Sequence, residues 1–148
     1  MKNSPSSASS PLEWSAAPRK DIMPPVALTN TTQSSLRGVP YRKLAAAILP
    51  KRYELSIVIV GDKASRTLNR RYRKKDTIPN ILSFPLSKTE GELFLNMAQA
   101  RRDAPSFKMP ERKFLVYLVI HGLLHLKGLS HGRTMNQAET HFLKRFAA

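Results

Sequence analysis

From residue 26 onward the chain alternates between runs with hydrophobic residues at every second position and runs with them every three to four positions, each bounded by turn-forming residues. Val26-Ala27-Leu28-Thr29 predicts a short first strand. Tyr41 to Leu49 places Leu44, Ala45, Ile48 and Leu49 on one helical face, and Pro50 stops that helix. Tyr53 to Val60 (YELSIVIV) is rich in β-branched residues and bounded by Gly61-Asp62, which predicts a buried strand. Asp62 is then expected to cap a helix running to about Tyr72, with Ala64, Leu68 and Tyr72 as its apolar side. Ile81 to Leu86 (ILSFPL) and Gly91 to Met97 (GELFLNM) predict two strands paired with each other. Pro85 has no N–H to give to a ladder, so the first of these strands lies at an edge or ends there. A short helix is expected around Ala98–Asp103. Pro110 to Lys127 is the longest and most apolar helical stretch, opened by Pro110-Glu111 and closed by Gly128, and Met135 to Phe146 predicts a last helix. The whole predicts an α+β (layered α/β) domain with about four strands in a mixed sheet packed with helices.

Composition changes this picture at one end. Residues 1–24 hold Ser4, Ser6, Ser7, Ser9, Ser10 and Ser15 with Pro5, Pro11, Pro18 and Pro24, and almost no apolar periodicity. Such a segment buries too little surface to offset its ordering entropy, so it reads as a disordered tail ahead of one domain at 25–148. Trp14 is the one residue there suited to docking on something. A length of 148 residues with 41% hydrophobic content suits a single ordinary core. The absence of Cys excludes a disulfide scaffold, a Cys-ligated zinc site and a thiol nucleophile. The richest apolar run, Phe114 to Leu126, is broken by two His and a Gly and falls short of the ~20 residues that span a bilayer. No apolar stretch follows Met1-Lys2, so a secretory signal is not expected and the location read from the sequence is cytoplasmic.

Charge narrows the partner. There are 25 Lys and Arg against 10 Asp and Glu, a formal net charge of +15 and an isoelectric point near 10.7. The tail nearly balances, with Lys2, Arg19 and Lys20 against Glu13 and Asp21, so the excess belongs to the domain. Arg66, Arg70, Arg71, Arg73, Lys74 and Lys75 cluster within ten positions. Taken alone, this cluster describes a solvated helix face. Set on so basic a domain, it describes a polyanion site, because each neutralised phosphate releases condensed counterions. An anionic membrane would call for large apolar residues opposite the cations, and this stretch offers only Leu68 and Tyr72. Nucleic acid is the favoured partner.

The chemistry sits in His121-Gly122-Leu123-Leu124-His125-Leu126-Lys127-Gly128-Leu129-Ser130-His131. On a helix His121 and His125 project side by side, the spacing two imidazoles need to share one metal ion. Gly128 tolerates the positive φ that ends a helix and reverses the chain, which returns His131 toward the same point. Three imidazoles with an open fourth position describe a catalytic zinc site rather than a closed structural one. A lone His on an apolar helix is usually a satisfied core residue, but three of the four His of the chain fall within these eleven residues. The fourth, His141, is left as a surface or packing residue. In the H-E-x-x-H peptidase pattern the residue after the first His is a Glu base, and here it is Gly122. The helix is zincin-like without the peptidase base, and its small residue permits close packing on a strand.

These residues resemble a known family. His121-Gly122-x-Leu124-His125-Leu126-x-Gly128-x-x-His131 resembles the signature of the YbeY family, bacterial rRNA maturation factors and single-strand endoribonucleases. Leu68-Asn69-x-x-Tyr72-Arg73-x-Lys75-Asp76, then Asn80-Ile81-Leu82-Ser83-Phe84-Pro85, and Gly91-Glu92-Leu93-Phe94-Leu95 are similar to further family stretches in the same order. The resemblance spans about residues 25–146. Three departures stand out: Ser130 where the family has Asp, Glu92 where Asp is usual, and Thr77-Ile78-Pro79-Asn80 with its Pro shifted by one.

The resemblance implies metal-assisted hydrolysis of an RNA phosphodiester. One zinc ion (Zn2+) on His121, His125 and His131 would polarise a phosphoryl oxygen or activate a water, and Arg73 would clamp the scissile phosphate. Arg70, Arg71, Lys74 and Lys75 would hold the RNA backbone, with Asn80 and Ser83 lining the cleft. The implied partners are rRNA and ribosomal particles, and the implied role is 16S rRNA 3′-end maturation in ribosome biogenesis. Two rivals are weighed against it. A non-catalytic RNA-binding assembly factor with a structural zinc is favoured by Ser130 and the missing carboxylate, while a metallopeptidase is disfavoured by Gly122.

Overall fold

The computed structural model describes residues 26–35 and 38–147. The Ser/Pro-rich tail, with Trp14, lies outside the described residues. Four strands form one sheet: β1 (Val26–Asn30), β2 (Glu54–Ile59), β3 (Ile81–Ser87) and β4 (Glu90–Leu95), in the order β1-β2-β4-β3. β1 and β2 are parallel, β2 and β4 are parallel, and β3 runs antiparallel to β4 at the edge. The sheet is therefore mixed, as the alternation of strand and helix signals predicts. Five helices complete the described fold: α1 (Tyr41–Ile48), α2 (Asp62–Arg73), α3 (Met97–Asp103), α4 (Glu111–Lys127) and α5 (Arg133–Ala147). A 3-10 turn at Ala104–Phe107 joins α3 to the segment before α4.

The period of two in β2 and β4 sets which face is covered. Leu55, Ile57 and Ile59 of β2 and Leu93 and Leu95 of β4 are buried on one side, with Ser56, Val58, Glu92 and Phe94 partly exposed on the other. The covering element is α4, which buries Phe114, Leu115, Val116, Leu118, Val119, Ile120, Leu123, Leu124 and Leu126. A helix apolar on nearly every side must be surrounded, and α4 touches α1, α3, α5, β3 and β4. Each such side chain stabilises the fold by roughly 1.5–3 kcal/mol on full burial.

α4 approaches the sheet at Gly122. A Cβ added there would stand 2.9 Å from Ile81 Cδ1, 2.9 Å from Leu93 Cδ2 and 3.1 Å from Ser83 Oγ. Ser83 Oγ also donates to the Gly122 carbonyl at 3.2 Å. The glycine that removes the peptidase base is thus the residue that lets the helix lie against β3 and β4.

Three expectations are corrected. The underside of α2 is polar, not apolar: Ser65 and Asn69 are buried, while Tyr72 is 58% exposed. Ser65 Oγ donates to the Pro79 carbonyl, and Asn69 Nδ2 donates to the carbonyl and hydroxyl of Thr77, so α2 is fastened to the 77–80 loop by hydrogen bonds. Asp62 does not cap α2, whose N-cap is Gly61; its carboxylate accepts from Asn96 Nδ2 and Arg102 Nη2, which hold it below the usual carboxylate range. The strand read over Gly91–Met97 ends at Leu95, because Asn96 caps α3 by accepting from the Gln99 N–H at 3.0 Å. Pro85 does fall on the edge strand, and the register shifts between Pro85 and Ser87, leaving Leu86 as a bulge.

Gly122→Ala is expected to lower stability by about 1–3 kcal/mol in urea unfolding, because the packed Ile81 and Leu93 side chains must give way to a methyl group. Gly122→Glu, which would restore the H-E-x-x-H pattern, should be more destabilising still and confer no peptidase activity in a casein assay.

Candidate metal centre and cation surface

The helical spacing of His121 and His125 brings their rings to a centroid separation of 4.6 Å, with the two Nε2 atoms 3.1 Å apart. The turn after α4 is a Schellman motif. Gly128, at φ 110°, donates its N–H to the His125 carbonyl, and the Leu129 N–H reaches the Leu124 carbonyl at 3.0 Å. Leu129 is buried, which anchors the reversal. The chain then returns His131 to centroid distances of 5.5 Å from His121 and 5.1 Å from His125. One ring nitrogen from each of the three histidines lies within 4.8 Å of the others.

The outer nitrogens explain the orientation of the inner ones. His121 Nδ1 donates to the Glu139 carboxylate, and His125 Nδ1 donates to the Leu129 carbonyl at 3.1 Å. With both Nδ1–H groups so engaged, both Nε2 atoms turn lone pairs toward one another. A cation between them would relieve that repulsion, and the donor set fits a zinc ion: neutral imidazoles whose far sides are held by a carboxylate and a carbonyl. Burial first, then the neighbouring His121, holds His125 below its ordinary pKa, which keeps it in the metal-ligating form near neutral pH. His121 and His125 are half-buried and His131 is exposed, so the cluster opens to solvent on one side.

Glu139 is the residue that sequence reasoning missed. It is only 8% exposed, on a helix whose other buried residues are Met135, Ala138 and Phe142. The signal was present: positions 135, 138, 139 and 142 make one apolar stripe of α5, and a carboxylate within such a stripe needs a partner. Ser130, where the resembled signature has Asp, is exposed. The carboxylate that touches a histidine of the cluster therefore comes from α5 and not from position 130.

The predicted cations occupy the C-terminal end of α2 and the loop after it. Asp76 accepts from Arg66 Nε at 2.8 Å and Nη2 at 3.0 Å, and Arg70 Nε lies 3.5 Å from the same carboxylate. The Arg66 hydrogen bond holds Asp76 below the usual carboxylate range. Arg70 is thus partly neutralised. Arg71, Arg73, Lys74 and Lys75 are exposed and carry no ion pair among the described residues. Lys74 ends α2 in the left-handed conformation at φ 58°. No hydrogen bond or ion pair joins Arg73 to the histidine cluster among the described residues. Of the two residues expected to line a cleft, Ser83 packs against α4 as described, and Asn80 Nδ2 donates to Asp103 at 2.9 Å. His141 is half-buried with its ring 5.0 Å from Phe142, in keeping with a packing residue.

Comparison with known proteins places this geometry. A family model described as "Endoribonuclease YbeY" matches residues 27–147. Endoribonuclease YbeY of Endomicrobium trichonymphae is 33% identical over 108 residues, covering 68% of this chain and 77% of that protein. The protein of the same name from Geobacter metallireducens is 34% identical over 108 residues, covering 67% of this chain and 71% of its own length. The match to the Persephonella marina protein, 31% identical over 97 residues, covers 60% of this chain and 63% of that relative, which is less than two thirds of its length. In fold the chain is similar to the solution structure of TM1509 from Thermotoga maritima, with a TM-score of 0.59 at 20% identity over 82% of this chain and 88% of that one. The match from residue 27 to residue 147 takes in all of the described sheet but Val26, together with α4 and the turn that gathers the three histidines, and the chain belongs to the YbeY endoribonuclease family.

Proposed function

We propose that this chain is a metal-dependent endoribonuclease that cleaves single-stranded RNA in rRNA maturation, including that of the 16S rRNA 3′ end, on ribosomal particles in the cytoplasm. The observation that carries the reading is the convergence of three imidazole nitrogens within 4.8 Å, two of them turned inward by partners on their far sides. His121, His125 and His131 would hold one zinc ion. The chemistry such an ion supplies when bound is Lewis acidity toward a phosphoryl oxygen and a lowered pKa for a water molecule. Glu139 fixes the tautomer and tilt of His121, and the Leu129 carbonyl does the same for His125. The exposure of His131 supports a site reached by substrate, whereas a structural zinc is closed on all sides.

Arg73 would take the scissile phosphate. Its guanidinium stays charged at any working pH, forms two parallel hydrogen bonds to phosphate, and has no competing partner among the described residues. Charge gathering on the phosphoryl oxygens in the transition state is what it would stabilise. Arg71, Lys74 and Lys75, with the partly neutralised Arg70, would hold the RNA backbone without reading bases. Residues 25–148 would form the working domain, with 1–24 as an appended tail. Among the described residues no helix is long and apolar enough to cross a membrane. A peptidase reading lacks its base, since Gly122 stands where that pattern has Glu, and a Cβ there would press on the Ile81 and Leu93 side chains.

His121→Ala is expected to abolish both zinc binding, read by elemental analysis, and cleavage of single-stranded rRNA, while RNA binding persists. Cleavage by rigorously metal-free protein would refute the mechanism. Arg73→Glu should reduce cleavage by about 100-fold or more with the melting temperature nearly unchanged, because the residue is exposed. Glu139→Gln should weaken zinc affinity by about 10–100-fold in competition with a chelating dye. Since His125 is held below its ordinary pKa of about 6.5, the folded metal-free protein takes up that proton less readily than the unfolded chain. Its contribution to stability is therefore present above pH ~6.5 and is lost as pH falls through the folded value, which denaturant titrations from pH 8 to 5 should show.

A further inference from the structure

Tyr72 is the most exposed large hydrophobic residue among the described residues, at 58%, yet its ring is not loose. Phe84 of β3 meets it edge-on at 5.4 Å between centroids, and Phe94 of β4 meets Phe84 at 5.7 Å in the same manner. Phe84 and Phe94 point to the sheet face opposite α4, as the pairing of Phe84 with Glu92 and of Leu82 with Phe94 requires. The three rings make a chain rooted in the sheet and ending in solvent. The Arg71 guanidinium stands 6.0 Å from the Tyr72 centroid, and Arg73, Lys74 and Lys75 occupy the next three positions.

We propose that Tyr72 is a stacking platform for an unpaired base of the RNA, with Arg71, Arg73, Lys74 and Lys75 on the adjoining phosphates. The inference rests on the endoribonuclease reading and names the residue that would make it selective for single strands. A ligand that satisfies both a fixed aromatic ring and several unpaired cations repeats a π face and an anion, and single-stranded nucleic acid does both. Bases within a duplex are already stacked on one another and cannot reach the ring. A protein partner fits less well, because interface cores are depleted of charge, and of lysine in particular. Here the aromatic has the Arg71 guanidinium beside it and three further cations directly after it in the chain. Tyr72 and the histidine cluster lie on opposite sides of the edge strand β3, with α4 against one face and Phe84 on the other, so a strand seated at both would pass across that edge.

The test is equilibrium binding by fluorescence anisotropy, with the full metal-supplied chain and a short unstructured 2′-O-methyl RNA. Tyr72→Ala should weaken binding by about ten- to a hundredfold, and Tyr72→Trp should restore it. A ribose-phosphate strand without bases should bind wild type and Tyr72→Ala equally. The salt dependence of affinity should keep its slope in Tyr72→Ala and lose about one from the slope in Lys74→Ala. Unchanged RNA affinity in Tyr72→Ala, or an equal loss on the baseless strand, would overturn the stacking role. The former result together with loss of a protein partner would mark the ring as a protein-docking residue instead. Wild-type protein that fails to bind single-stranded RNA at all would overturn the endoribonuclease reading itself, whereas wild type that binds and cleaves while Tyr72→Ala matches it would overturn only the platform.

Discussion

Everything functional in this molecule hangs on how closely α4 lies against the sheet. That helix is buried on almost all sides, and its closest approach is made possible by the bare backbone of Gly122 between Ile81, Ser83 and Leu93. The residue before that contact is His121, and one turn later comes His125. A rigidly seated helix is what allows two imidazoles to face each other at hydrogen-bond distance without drifting, since packed interiors deform little. The constraint also bears on the chemistry: a side chain large enough to act as a base next to His121 would have to push aside the Ile81 and Leu93 side chains packed beneath it.

The turn after α4 extends that rigidity outward. One short reversal ends the helix on Gly128, buries Leu129, offers the Leu129 carbonyl to His125 and turns His131 back. α5 then lays Glu139 behind His121. Each of the two helical histidines is thus braced by a residue later in the chain, so the geometry of the cluster forms only when the segment after α4 docks on that helix. Local sequence supplies the spacing and tertiary packing supplies the aim.

The sheet, its mixed character and the positions of the helices were legible because their periodicities are strong and their ends are punctuated by Pro50, Gly61, Pro85 and Gly128. The three-histidine cluster was legible for a similar reason, since a spacing of four on a helix with a glycine turn behind it leaves little freedom. What was not legible depends on partners distant in sequence. Asp62 looks like a cap until Asn96 and Arg102 arrive, and the apolar positions of α2 look like its buried side until the loop at 77–80 claims Ser65 and Asn69. Glu139 could be noticed as a carboxylate in an apolar stripe, but its partner lies eighteen positions away. The strand ending at Leu95 was misjudged for a local reason: Asn96 competes for the chain as a helix cap, and Met97 is the first residue of α3.

Edge strand β3 also bears on how the molecule meets its own copies. An uncovered strand with free N–H and C=O groups invites a second chain to pair with it, and a basic protein with an open sheet edge would be at risk of association through that edge. Here Pro85 removes a donor and the bulge at Leu86 breaks the regular spacing just beyond it. The pairing with β4 runs unbroken only from Ile81 to Pro85, which leaves a short regular edge. β3 is thereby a poorer template for a second copy than a regular strand of the same length would be.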